Sequence, residues 1–266
     1  MKLSIYTFVK NGIYQDYHVV EMLKHHLPFA DEIIVNEGYS NDGTYEAISN
    51  LDPKIKIFRT KWGKAKDINW FVKFKNDARE RCTGDWCLLL DCDELIPEWE
   101  WERIRNYMET TNEQMAPFKL INFYGNYQVY HTDPAKVVWP YKKMMLHRNV
   151  PNIQVWGDGS NVGFDGTETE WSVSNEEFIC HHFGFVRHAG RLRQKWRWQG
   201  EVHAGKRRWF QLPSFLFNWM PHKWDDPHFL SDLAIYEGPH CQAVRDNPDE
   251  FIRDNNRLLD LLKKEQ

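Results

Sequence analysis

Two aspartates one residue apart, Asp91 and Asp93, follow the apolar run Trp86-Cys87-Leu88-Leu89-Leu90, and Glu94 comes next. A run with no polar alternation suits a central parallel strand covered on both faces. The carboxylates then stand at its C-terminal end, where open α/β sheets place ligands. Read as strand residues, Asp91 and Asp93 point to the same side, because side chains alternate with period two. Two neighbouring carboxylates repel each other, and a divalent cation relieves that repulsion. Hard oxygen ligands on one side suit Mg²⁺ or Mn²⁺ carrying a diphosphate. The plain alternative is a strand running into an acidic, solvated turn.

A second candidate lies just upstream. The spacing predicts a helix over 68–82, closed by Gly84. Its apolar stripe is Ile68, Phe71, Val72, Ala78 and Cys82, and at about 100° per residue Lys75 and Arg79 fall on that stripe too. Cations on a core-facing stripe are costly unless they meet anions. Lys75 or Arg79 is therefore expected beside the Asp91 and Asp93 carboxylates or a bound phosphate. The alternative is that both snorkel to the helix edge.

The elements that must position these groups alternate. Residues 3–9, 32–35, 55–58 and 86–90 read as strands. Helices fall between them, the first with Asp16 as N-cap and Val19, Leu23 and Leu27 on one face. Short links between β and α mean a parallel, doubly wound sheet. After residue 115 the pattern changes to longer, antiparallel strands over 118–130 and 144–147. A Gly- and Asp-rich loop follows over 156–170, then a strand over 178–185. Residues 187–210 are basic and Trp-rich, and 211–245 are irregular. An amphipathic helix closes the chain, with Asn247 as N-cap, Pro248 first and Glu250 completing a capping box. Its apolar stripe is Phe251, Ile252, Leu258, Leu259 and Leu262.

Composition narrows the class. A chain of 266 residues can bury one large core, and a net charge of −4 with mixed signs points to no polyanion partner in bulk. The 13 Trp, 16 Phe and 11 Tyr residues suit either a large core or stacking platforms for sugars and bases. The five scattered cysteines form no CxxC pair, which argues for free thiols in a reducing compartment. With no signal peptide and no long apolar run, the expectation is a soluble cytoplasmic protein.

Several motifs in order then resemble the family 2 glycosyltransferases of the GT-A fold. Lys10-Asn11 follows the first strand, where that family usually has Asn-Glu. Glu37-Gly38-Tyr39-Ser40-Asn41-Asp42-Gly43-Thr44 looks like its Asp-x-x-Ser-x-Asp-Gly-Thr signature, with Glu for the leading Asp. Lys75-Asn76 takes the place of its Arg-Asn pair, and Asp91-Cys92-Asp93 that of its Asp-x-Asp motif. His182-Phe183-Gly184 is similar to a late His-aromatic-Gly segment. Gln194-Lys195-Trp196-Arg197-Trp198 matches a Gln-x-x-Arg-Trp pattern of membrane-bound processive members.

The resemblance implies a GT-A, Rossmann-like α/β domain over 1–210. Residues 1–115 would bind the nucleotide sugar and 116–210 the acceptor, with a C-terminal irregular and helical extension over 211–266. It implies a nucleotide diphosphate sugar as donor, UDP-linked by default, with Mn²⁺ or Mg²⁺ as cofactor and an inverting transfer. Thr7, Val9, Asn11 and Glu37 would line the nucleoside pocket, and Lys75, Asn76, Asp91 and Arg187 would contact the donor. Asp91, Asp93 and His182 would hold the metal.

An inverting transferase needs a carboxylate base for the acceptor hydroxyl. The Gly-flanked loop Trp156-Gly157-Asp158-Gly159 offers Asp158, with Asp165 second, and Trp156 could stack on a sugar. Asp158-Gly159 is equally an ordinary turn sequence. For the acceptor, Trp196, Arg197, Arg207 and Arg208 lie in a basic, aromatic cluster. Such a cluster suits a carbohydrate or glycoconjugate, or phosphate and base contacts in DNA carrying a hydroxymethylated base. Two other classes remain open from sequence: a sugar nucleotidyltransferase, whose Gly-rich loop after the first strand is missing here, and a non-catalytic nucleic-acid-binding protein on the same scaffold.

Overall fold

The computed structural model describes residues 1–63, 69–132, 142–164, 176–195 and 232–265. The first half alternates as expected. Strand β1 (Leu3–Val9) leads to α1 (Val19–His26), β2 (Glu32–Glu37), α2 (Thr44–Ile48), β3 (Ile55–Arg59), α3 (Asn69–Arg79) and β4 (Trp86–Leu89). Four strands run parallel in the order β3-β2-β1-β4. Alternation along them splits the core. Leu3, Ile5, Ile33, Val35 and Leu88 pack with Val19, Met22 and Leu23 of α1. Tyr6, Ile34, Cys87 and Leu89 face the opposite way, onto Ala78 and Cys82. Both sheet faces are therefore covered, which explains the unbroken apolar runs.

The second half adds β5 (Glu94–Leu95), α4 (Glu98–Thr110), β6 (Met115–Tyr124), β7 (Asn126–His131) and β8 (Lys142–Arg148). It continues with β9 (Ile153–Trp156), β10 (Asn161–Phe164), β11 (Phe178–Phe185) and β12 (Leu233–Ile235). Strand β8 runs antiparallel to β4 and β6, and the sheet continues β8-β6-β7-β12. Strand β11 pairs parallel with β6 and antiparallel with β5. A mostly parallel first half joined to antiparallel strands is the GT-A arrangement expected from the motifs. The one long strand expected over 118–130 is divided at Gly125, whose φ of 68° suits glycine and turns the chain into a β6–β7 hairpin.

Three local expectations are corrected. Asp16 does not cap α1: it sits at φ 55°, the helix starts after His18, and the Asp16 carboxylate accepts the His188 backbone N–H and pairs with its ring. Strand β4 stops at Leu89, and Asp91 to Glu94 form a turn closed by the Glu94 N–H on the Asp91 carbonyl, so period-two geometry does not govern the two aspartates.

The C-terminal helix is not continuous either. It divides into α5 (Gln242–Asp246), a 3-10 turn (Pro248–Phe251) and α6 (Arg257–Glu265), and the Asn247 side chain caps nothing. Phe251 enters the main core, stacked on His18, while Leu258, Leu259 and Leu262 join a separate cluster with Val129 and Leu233. One straight helix cannot serve both clusters. Asn255 and Asn256 make the break at positive φ, and Asp254 starts α6 by accepting the Asn256 and Leu258 N–H groups.

Candidate active site

The turn after β4 collects charge from four elements. Lys75, brought in by α3, places Nζ 2.5 Å from Asp91 Oδ1. It also donates to the Gly159 carbonyl at 2.7 Å and lies over the Phe8 ring at 5.0 Å. From β8, Lys143 reaches Asp91 Oδ2 at 3.1 Å and Glu94 Oε1 at 2.5 Å. Burial alone would raise the Asp91 carboxyl, but Lys143 and Lys75 outweigh it and hold the group down at about 2. Both lysines are almost fully buried. The cation expected on the α3 stripe is thus beside Asp91, and it is Lys75.

Asp93 faces a different set. Arg187 Nη2 donates to its Oδ2 at 2.9 Å, and Lys195 Nζ lies 3.5 Å from the same oxygen. His182 Nε2 stands 3.8 Å from Oδ1. Against the upward push of burial, Lys195 and Arg187 hold the Asp93 carboxyl far below the ordinary range. The Arg187 guanidinium is enclosed: it also donates to the Gly184 and Gln15 carbonyls and stacks on Tyr17. In this arrangement Arg187 holds Asp93 and the loop after β1.

Asp93 and His182 fit a divalent cation on their own chemistry. Burial lowers the His182 pKa to about 3, so the ring is neutral. Its Nδ1 is 2.6 Å from Asn122 Oδ1, which assigns the proton to Nδ1 and turns the basic Nε2 toward Asp93. Gly184 keeps this corner open, since a Cβ there would come 2.3 Å from His182 Nε2 and 3.3 Å from Asp93 Oδ2. Neighbouring His181 points to the other sheet face, against Tyr236 and Phe123. Among the described residues no group of three protein ligands is gathered.

The remaining expected residues are distributed as follows. Thr7 and Val9 are buried, Thr7 against Cys92 Sγ and Val9 in the main core. Phe8, between them, faces the other way, stacked on Trp62 and beside Phe71 and Lys75. The position of Phe8 between two inward residues is the sequence signal for its outward face. Glu37 spends its carboxylate on the Tyr39 and Ser40 N–H groups and on Arg59 Nε. Asn11, at φ 53°, ties the loop after β1 to the loop after β2 through Ser40 and Asn41.

Asn76 holds strand β9 by a two-way pair with the Val155 backbone. That contact docks the β9–β10 hairpin on α3 and brings Trp156 and Asp158 to this side of the sheet. Asp158 Oδ1 accepts from the Ser160 N–H and hydroxyl, which builds the turn. Among the described residues the enclosed Trp156 indole N–H has no hydrogen-bond partner. Asp165, Trp196, Arg197, Arg207 and Arg208 lie outside the described residues. Two further lysines, Lys143 and Lys195, join the expected residues. Lys195 lies within the Gln194-Lys195-Trp196 motif, whereas nothing local marks Lys143.

Carboxylates, buried cations and a histidine thus gather beyond the C-terminal end of the parallel strands. The family model described as Glycosyl transferase family 2 matches residues 18–161, more than half of the chain, and the chain belongs to that family. A TPR repeat-containing protein of Synechococcus elongatus is 28% identical over 173 residues, which is 62% of this chain and 38% of that protein. The chain thus spans well under half the length of that curated relative.

Among solved structures, the chain is similar to Staphylococcus aureus TarS 1-349 in complex with UDP, at 16% identity and a TM-score of 0.41 over 56% of this chain and 47% of that one. TarS 1-349 in another crystal structure gives 14% identity and a TM-score of 0.45 over 82% of this chain and 68% of that one. Glucosyl-3-phosphoglycerate synthase from Mycobacterium tuberculosis, solved with Mn²⁺, UDP and glucosyl-3-phosphoglycerate, gives 14% identity and 0.34 over 46% and 44%. No helix among the described residues is long and apolar enough to cross a membrane.

Proposed function

We propose that this chain moves a sugar from a nucleotide diphosphate sugar, UDP-linked, to a hydroxyl of a carbohydrate or glycoconjugate acceptor, with inversion, in the cytoplasm. The observation that carries the reading is the charged turn after β4, where Asp91 is clamped by Lys75 and Lys143 and Asp93 is set against His182. Asp93 and His182, with Asp91, would hold Mn²⁺ or Mg²⁺. When bound, the cation supplies Lewis acidity that neutralises charge developing on the departing diphosphate.

The chain's own residues do the rest. Lys75 lends a fixed positive charge beside Asp91. Arg187 keeps Asp93 ionised and oriented. Asp158, on the hairpin docked by Asn76, takes the proton from the acceptor hydroxyl through the carboxylate oxygen not engaged by Ser160, and Trp156 carries the acceptor ring.

The test is a panel of nucleotide sugars with Mn²⁺, scoring nucleoside diphosphate release with and without saccharide acceptors. Release with a UDP-sugar that rises on adding a saccharide is the expected result. Transfer only to DNA carrying hydroxymethylated cytosine would replace the acceptor class. No release with any donor and acceptor would reject the reading.

A further inference from the structure

We propose that Lys143 is a positioning residue for the donor site, acting through Asp91; this rests on the donor reading above. Strand β8 is antiparallel to β4, with Leu88 opposite Leu146 and Cys87 opposite His147. Continuing that register past the end of β4 brings residue 143 opposite residue 91. The contact is made: Lys143 Nζ is 3.1 Å from Asp91 Oδ2 and 2.5 Å from Glu94 Oε1. Glu94 closes the figure by accepting the Asp91 backbone N–H at 2.8 Å. Asp91 is thereby gripped at its backbone by Glu94 and at one carboxylate oxygen by Lys143, while Lys75 meets the other oxygen.

The members of this cluster differ in what they can do. Glu94 and Lys143 are 1% and 3% exposed, and the Asp91 side chain keeps 26% of its surface. Lys143 is thus enclosed, and Asp91 is the member of the cluster that keeps surface for a donor to meet. Two carboxylates next to a buried ammonium leave it charged, and the ammonium in turn fixes which way the Asp91 oxygens point. A carboxylate held from behind loses little freedom when a donor arrives, so the grip should appear as donor affinity. Lys143 touches neither donor nor acceptor in this scheme.

The test pairs charge-balanced variants. Lys143→Met alone leaves Glu94 buried and uncompensated, so Lys143→Met/Glu94→Gln is made beside it, removing one charge of each sign. UDP affinity is measured by calorimetry with Mn²⁺, along with the donor KM and kcat. In the folded double variant we expect UDP Kd and donor KM to rise together by about tenfold or more, with kcat changed far less. In an Asp91→Asn background, removing Lys143 should cost no further affinity. Wild-type affinity in the folded double variant would overturn the inference, as would an undiminished effect of Lys143→Met in the Asp91→Asn background. If the wild type binds no nucleoside diphosphate, the donor reading itself fails and takes this role with it. Denaturant midpoints for Lys143→Met, Asp91→Asn and the pair then judge the contact alone: coupling supports it and strict additivity removes it.

Discussion

The ammonium of Lys75 sits 2.5 Å from Oδ1 of Asp91 and, on its other side, donates to the Gly159 carbonyl. One side chain thus joins the charged turn after β4 to the hairpin that carries Asp158 and Trp156. Replacing it by Met keeps the apolar stem that packs near Phe8 and removes the charge. Lys75→Met should weaken UDP binding by about tenfold or more, the value of a charge-assisted contact, and should also lower kcat because the hairpin loses an anchor. The check is UDP calorimetry beside a thermal melt. A large loss of stability with unchanged UDP affinity and kcat would make Lys75 structural.

Asp158→Asn separates the two roles that residue can have. An amide keeps the acceptor oxygen that binds the Ser160 N–H and hydroxyl, so the turn should survive. A base is lost. Sugar transfer should fall by roughly a hundredfold or more, while UDP affinity and melting temperature stay close to wild type. Steady-state transfer assays with a saccharide acceptor provide the readout, and full activity would pass the role to Asp165 or another group.

Gly184→Ala tests the open corner beside Asp93. The new Cβ would fall 2.3 Å from His182 Nε2, so the ring must turn away from Asp93. We expect a stability cost of about 1–3 kcal/mol for overpacking and a loss of the Mn²⁺-dependent part of UDP binding. Retained Mn²⁺ dependence would mean that His182 is not a ligand.

Acid lability follows from histidines that are buried neutral. Burial lowers the pKa of His18 and His181 to about 3 and that of His147 to about 4, from an ordinary value near 6.5. Below 6.5 the unfolded chain takes up protons that the folded chain refuses. Their contribution is therefore complete above about pH 6.5 and is lost progressively toward pH 3–4. Each of the three should cost about 2 kcal/mol by pH 5. Urea midpoints at pH 7, 6 and 5 would reveal the decline, and His147→Gln should shallow it. A flat profile over that range would contradict the burial.

Much of the site is legible in the chain, for reasons that differ by residue. Asp91 and Asp93 stand out because an apolar strand must end before charge begins. Lys75 stands out because a cation on an apolar stripe demands an anion, and Asp91 is that anion. His182 depends on the motif resemblance, since a lone histidine in a strand has many ordinary uses. Lys143 is invisible beforehand: its role comes from the register of β8 on β4, which a local pattern does not contain. Glu37 reads as a nucleoside contact, yet its carboxylate closes on its own loop and on Arg59, because backbone N–H groups two and three residues on are within its reach. The C-terminal break is hidden for a similar reason. A helical stripe looks continuous until two separate clusters pull Phe251 and Leu258 apart.

The central claim is that the turn after β4 binds a nucleoside diphosphate through a divalent cation held at Asp93. The most direct measurement is UDP calorimetry on wild type and Asp93→Asn, each with Mn²⁺ and with a chelator, after thermal melts establish that both are folded. The expected result is wild-type binding at least about tenfold tighter with Mn²⁺ than with chelator, and no such difference in Asp93→Asn. Equal UDP affinity in all four conditions, or no UDP binding by the wild type with Mn²⁺, would contradict the claim.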